Sequence, residues 1–108
     1  MTIITIYQNH KKPVGFSTKG HAGYADYGED IVCAGISALV LNAINSIEKF
    51  TNDTFTVEAN EDNGNIDFRL SDTGSKETEL LLDSMILGLQ GIQDDYGKKF
   101  LQLHFKEV

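Results

Sequence analysis

The only cysteine of this 108-residue chain, Cys33, and the histidine twelve positions before it, His21, are the side chains whose types pair for nucleophilic chemistry. A thiolate attacks a carbonyl carbon once an imidazole has taken its proton, and the imidazolium then protonates the leaving group. Cys33 stands at the start of a segment with helical apolar spacing, where unsatisfied N–H groups and the positive end of the helix dipole stabilise a thiolate. His21 is flanked by Gly20 and Gly23. Small neighbours let backbone and substrate come close, and Gly20 can make the turn that delivers the imidazole. Against this stands a plainer reading, since an unpaired cysteine in an apolar pattern is more often packed than catalytic. A loop histidine is usually just solvated, and His10 and His104 are read that way.

Further positions bear on the pair. Asp30 can cap the helix that carries Cys33, or orient the His21 ring as the third member of a triad. A carboxylate this close also opposes thiolate formation, so the dipole and a protonated His21 have to outweigh it. Ser37 lies one turn after Cys33, where its hydroxyl can serve the site or bond back to the carbonyl four residues earlier. Backbone N–H groups at the helix start, those of Cys33 and Ala34, are the expected donors to an oxyanion. Tyr24, Asp26, Tyr27 and Glu29 make the segment before the helix aromatic and acidic, suited to a lid over an extended basic peptide or simply to solvent. With no CxxC, no HxxxH and no second cysteine, no metal or other cofactor is expected.

The elements that must position these residues follow from apolar spacing. Thr2–Tyr7 and Val14–Thr18 read as strands joined through the polar tract 8–13, a hairpin. Residues 20–30, GHAGYADYGED, carry three glycines and neither periodicity, so a loop is expected. From Ile31 to Phe50 apolar residues recur at Val32, Ile36, Leu39, Val40, Ala43 and Ile47, the pattern of a helix with one face on a core. Phe55, Val57 and Ala59, then Ile66, Phe68 and Leu70, alternate with polar residues around a turn at 60–64, a second hairpin. Ser75 opens another helical pattern that runs to Ile92 and stops by Gly97, and Lys99–Lys106 reads as a last strand. Leu101, Leu103 and Phe105 on that strand can face the core or a second subunit. The expected fold is therefore α+β: one domain over residues 1–108, a two-layer sandwich with a mostly antiparallel sheet and two helices on one face, in the order β-β-α-β-β-α-β.

Composition narrows the classes. Sixteen acidic against nine basic residues give a formal charge of −7 at pH 7. That sign repels the phosphate backbone a nucleic-acid binder must neutralise and points to a basic protein or peptide as partner. No run of about 18 consecutive apolar residues suggests a bilayer crossing, and no secretory leader is visible at the start. An unpaired thiol suits a reducing compartment, so a cytoplasmic location is expected.

The stretch Gly20-His21-Ala22, followed by Gly28-Glu29-Asp30-Ile31-Val32-Cys33-Ala34-Gly35-Ile36-Ser37, resembles the signature of the ribosomal-processing cysteine protease (Prp) family. Length and element order agree with that family across the chain. The resemblance implies a homodimeric cytoplasmic enzyme that removes the N-terminal extension of a large-subunit ribosomal protein, with Cys33 as nucleophile and His21 as general base and then acid. Gly20, Asp30 and Ser37 match supporting positions, and the segment between His21 and Asp30 matches a loop that orders over the bound peptide. The competing class is a non-catalytic acidic assembly factor that holds a basic ribosomal protein, with Cys33 merely packed.

Overall fold

The computed structural model describes residues 1–20, 25, 30–60 and 63–108. Its elements are β1 (Thr2–Asn9), β2 (Lys12–Lys19), α1 (Ile31–Phe50), β3 (Phe55–Asn60), β4 (Asn65–Leu70), α2 (Lys76–Tyr96) and β5 (Leu101–Glu107). The five strands form one sheet in the order β3-β4-β2-β1-β5, antiparallel throughout except for the β1–β5 pair. This is the expected order and the expected, mostly antiparallel, layer.

Alternation along the strands separates two faces. Ile4, Ile6, Phe16, Phe68 and Leu101 point one way, fully or almost fully buried, and meet Val32, Val40 and Ile47 of α1 and Leu82 and Leu89 of α2 in a single core. Phe16 and Phe68 lie opposite each other in the β2–β4 register and stack with ring centroids 5.1 Å apart. The other face is polar. There the Arg69 guanidinium lies 3.8 Å above the Tyr7 ring, Tyr7 and Ser17 share a 3.3 Å hydrogen bond, and Arg69 Nε donates to Asp67 at 2.9 Å.

The two helices run antiparallel at close range. A Cβ on Gly35 would sit 3.3 Å from Ile92 Cδ1, and one on Gly88 would sit 2.8 Å from Leu39 Cδ1. Absence of side chains at these two crossings lets the helices approach each other, and it sets the start of α1 beside the end of α2. By length and composition α1 would also pass for a membrane-spanning helix. Its Val32, Ile36, Val40, Ala43, Ile44 and Ile47 instead form a one-sided buried stripe on the sheet. A core helix meets the same test.

Two boundaries differ from expectation. The tract 8–13, expected as a polar connection, is mostly strand: pairing continues to Asn9 and Lys12, and only His10 and Lys11 remain as a two-residue turn, both with positive φ (52° and 64°). The last strand begins at Leu101, because the amides of Phe100 and Leu101 first bond back to the Gly97 carbonyl. On β5 the apolar side chains divide along the strand. Leu101 is buried, Leu103 packs against the core, and Phe105 is half exposed at 48%.

Candidate functional site

Cys33 lies in the first turn of α1, and Asp30 is the N-cap, with its side chain accepting from the Cys33 amide at 2.8 Å. The helix begins here because Asp30 takes an extended conformation while its carbonyl already accepts the Ala34 amide at 3.0 Å. Capping, one of the two roles open to Asp30, is formed among the described residues; the other involves His21, which lies outside them. Cys33 is half-buried and packs against the core.

The expected oxyanion donors need correction. The Cys33 amide is committed to the Asp30 carboxylate and the Ala34 amide to the Asp30 carbonyl, so neither is idle. Ile31 and Val32 are the first-turn residues whose N–H groups have no acceptor among the described residues. Ser37, one turn along, is exposed, and its hydroxyl makes no hydrogen bond among the described residues, so the back-bond to the carbonyl four residues earlier is not formed.

Gly20 closes β2 in a conformation only glycine takes readily, with φ of 81° and a Cβ that would lie 2.5 Å from the Met1 carbonyl oxygen. Its amide donates to Asn65 Oδ1 at 3.2 Å. His21 itself lies outside the described residues, as do Tyr24, Asp26, Tyr27 and Glu29 of the expected lid.

Asn65, just beyond the expected turn at 60–64, is a residue that the apolar spacing did not single out. Asn63 Oδ1 accepts the Asn65 amide, and Thr18 Oγ1 donates to the Gly64 carbonyl at 3.4 Å while accepting the Ile66 amide at 3.1 Å. These bonds tie the β3–β4 turn to the end of β2. Because the 51–54 connection is short, α1 and β3 run in opposite directions, which brings the Cys33 end of α1 to the same end of the molecule as that turn and Gly20. A cleft of about 340 Å³ runs beside it, lined by Ser17, Lys19, Glu58, Asn60 and Asn65 among others. The run Asn63-Gly64-Asn65 was the available signal, since side-chain amides and glycine mark turns that bond to neighbouring backbone. Among the described residues no group of three or more His, Cys, Asp and Glu converges as a metal site would require.

A family model described as cysteine protease Prp matches residues 1–101. The ribosomal processing cysteine protease Prp of Staphylococcus aureus is 34% identical over 87 residues, 81% of each chain. Its Bacillus subtilis counterpart is 32% identical over 97 residues, 85% of this chain and 87% of that one. The crystal structure of the S. aureus protease with a covalently linked product peptide superimposes with a TM-score of 0.92 at 31% identity, covering 98% of this chain and all of that one.

Proposed function

The chain belongs to the cysteine protease Prp family, and we propose that it removes the N-terminal extension of a large-subunit ribosomal protein, with Cys33 as nucleophile and His21 as general base and acid. The observation that carries this reading is the position of Cys33: half-buried, in the first turn of a capped helix, in a chain that matches a relative crystallised with a covalently linked product peptide. The acidic assembly-factor alternative accounts for the charge of −7 but gives a relative's covalent peptide link no meaning.

In this mechanism His21 takes the thiol proton and the Cys33 sulfur attacks the scissile carbonyl, forming a C–S bond and an oxyanion. The oxyanion collapses, the C–N bond breaks, and the new amine leaves with the proton held by His21. Water, deprotonated by the same imidazole, then cleaves the thioester and regenerates the thiol. Donors to the oxyanion come from the start of α1, the Ile31 and Val32 amides, which have no acceptor among the described residues, since Cys33 and Ala34 are engaged with Asp30. Asp30 holds the nucleophile's helix turn in place, Gly20 sets the chain direction into His21, and Ser37 is an exposed polar contact for the peptide.

The remaining features of the reading are a homodimer and a cytoplasmic location, with neither nucleic acid nor membrane as direct partner. Net charge supports the exclusion of nucleic acid. The uncharged outer side of α1, Ile31, Ala34, Ala38 and Leu41, all exposed, supports a second copy as its neighbour.

The test is intact-mass analysis of the extended ribosomal-protein precursor incubated with wild type and with Cys33→Ala. Loss of one discrete N-terminal fragment with wild type alone is expected. An uncut precursor that binds both forms equally would move the assignment to the assembly factor.

A further inference from the structure

The outward face of α2 breaks three local rules at once. Leu80 and Leu87, seven residues apart and so on one side of the helix, are 69% and 71% exposed. Gly91, on the same side, would meet nothing within 4 Å if it carried a Cβ, so internal packing does not require it. A glycine in a helix interior costs about 1 kcal/mol relative to alanine. Asp94 and Asp95 occupy the last turn, at the negative end of the helix dipole, with no basic residue beside them there. Local rules broken together without an internal gain mark a functional surface.

We propose that this face is an exosite for the basic folded body of the ribosomal protein whose N-terminal extension enters the Cys33 site, an inference that rests on the protease reading above. Charge selects the occupant. α2 carries five carboxylates against one lysine, a net charge of −4 of the molecule's −7. A two-fold contact through this face would set −4 against −4, and anionic lipid or nucleic acid is repelled in the same way. A cationic protein surface instead covers the two leucines, neutralises Asp83, Asp94 and Asp95, and uses the space above Gly91. Asp83 adds weight: partial burial, then the like charge of Glu79, holds its carboxyl above the ordinary range, and an approaching cation offsets the repulsion from Glu79.

Position supports the same occupant. The end of α2 lies beside the start of α1, where Ile92 reaches Gly35, two residues from Cys33. A body seated on this end of α2 therefore lies at the nucleophile's end of the helix layer.

The experiment compares kcat/KM on two substrates: the full precursor, and a synthetic peptide covering only the extension and a few residues beyond the scissile bond. The variants are L80S/L87S and, separately, D94N/D95N, all at exposed positions. Each is expected to lower kcat/KM on the precursor at least tenfold, through KM, and to leave the peptide within twofold of wild type. Equal losses on both substrates, or no loss on either, would overturn the exosite, and so would dissociation of an oligomer by these variants. Wild type cutting neither substrate would instead sink the protease reading and the exosite with it, a result recognisable because the peptide too stays whole.

Discussion

Asp30 concentrates the chemistry of the site because one carboxylate both starts the helix and touches the nucleophile's own amide, at 2.8 Å. Loss of a helix N-cap costs about 1 kcal/mol, whereas asparagine caps nearly as well as aspartate. Asp30→Ala is therefore expected to lower stability by about 1 kcal/mol in urea titration, and Asp30→Asn to stay within about 0.5 kcal/mol of wild type. Turnover then separates the two roles open to this residue. Asp30→Asn that is stable and active confines it to capping; one that is stable but slow makes it an orienting partner of the imidazole. The capping contact was legible beforehand, since Asp30 stands immediately before a long apolar period and three residues before the cysteine. What the spacing did not disclose was the cost of that contact to the oxyanion reading. A cap consumes the very amides, those of Cys33 and Ala34, that were expected to meet the substrate, and competition between two acceptors for one donor appears only when distances are known.

At the scale of elements, α1 was readable to its ends because an N-cap, a one-sided apolar stripe and a polar stop agree with one another. The first hairpin was only half readable. Its tip pairs through polar residues, and a two-residue turn without glycine or asparagine carries no turn signal. The parallel β1–β5 pairing was not legible at all, since it joins residues about a hundred positions apart and depends on how α2 crosses the sheet. That unsignalled turn gives a prediction: Lys11 sits at φ of 64°, a conformation that glycine adopts without strain, so Lys11→Gly is expected to raise stability by about 0.5–1 kcal/mol in urea titration. The link between α1 and α2 gives another. Asp53 Oδ2 accepts from the Ser75 amide at 2.9 Å, the Ser75 hydroxyl at 2.7 Å and the Thr78 hydroxyl, and these bonds, Thr78 foremost, hold its carboxyl below the ordinary 3.8. A pKa depressed by folding stabilises the protein above the unfolded value and loses that contribution as pH falls through the folded one. Asp53→Asn should therefore have a lower urea midpoint than wild type at pH 7, and the gap should close below about pH 3.8. Midpoints that fall in parallel at every pH would remove Asp53 from the account.

Over the whole molecule, charge is divided between the helices rather than spread. α2 holds a net −4, while α1 carries only Glu48 and Lys49, both in its last turn, and leaves Ile31, Ala34, Ala38 and Leu41 exposed on an uncharged side. Two copies can approach through α1 without setting like charges together, which they cannot do through α2. A proposed dimer therefore belongs on α1, and the proposed substrate body on α2, so that one helix layer serves both without competition for the same side chains. Leu41, 48% exposed near the middle of that uncharged side, is the residue to change. A glutamate there costs the fold little, because surface substitutions are usually within about 0.5 kcal/mol, yet it places two like charges across a two-fold contact. Sedimentation velocity is expected to show wild type as a dimer and Leu41→Glu as a monomer, with an unchanged far-ultraviolet circular dichroism spectrum. If Leu41→Glu sediments as wild type does, the second copy must meet another surface, and half-exposed Phe105 on the free edge of β5 becomes the next position to test.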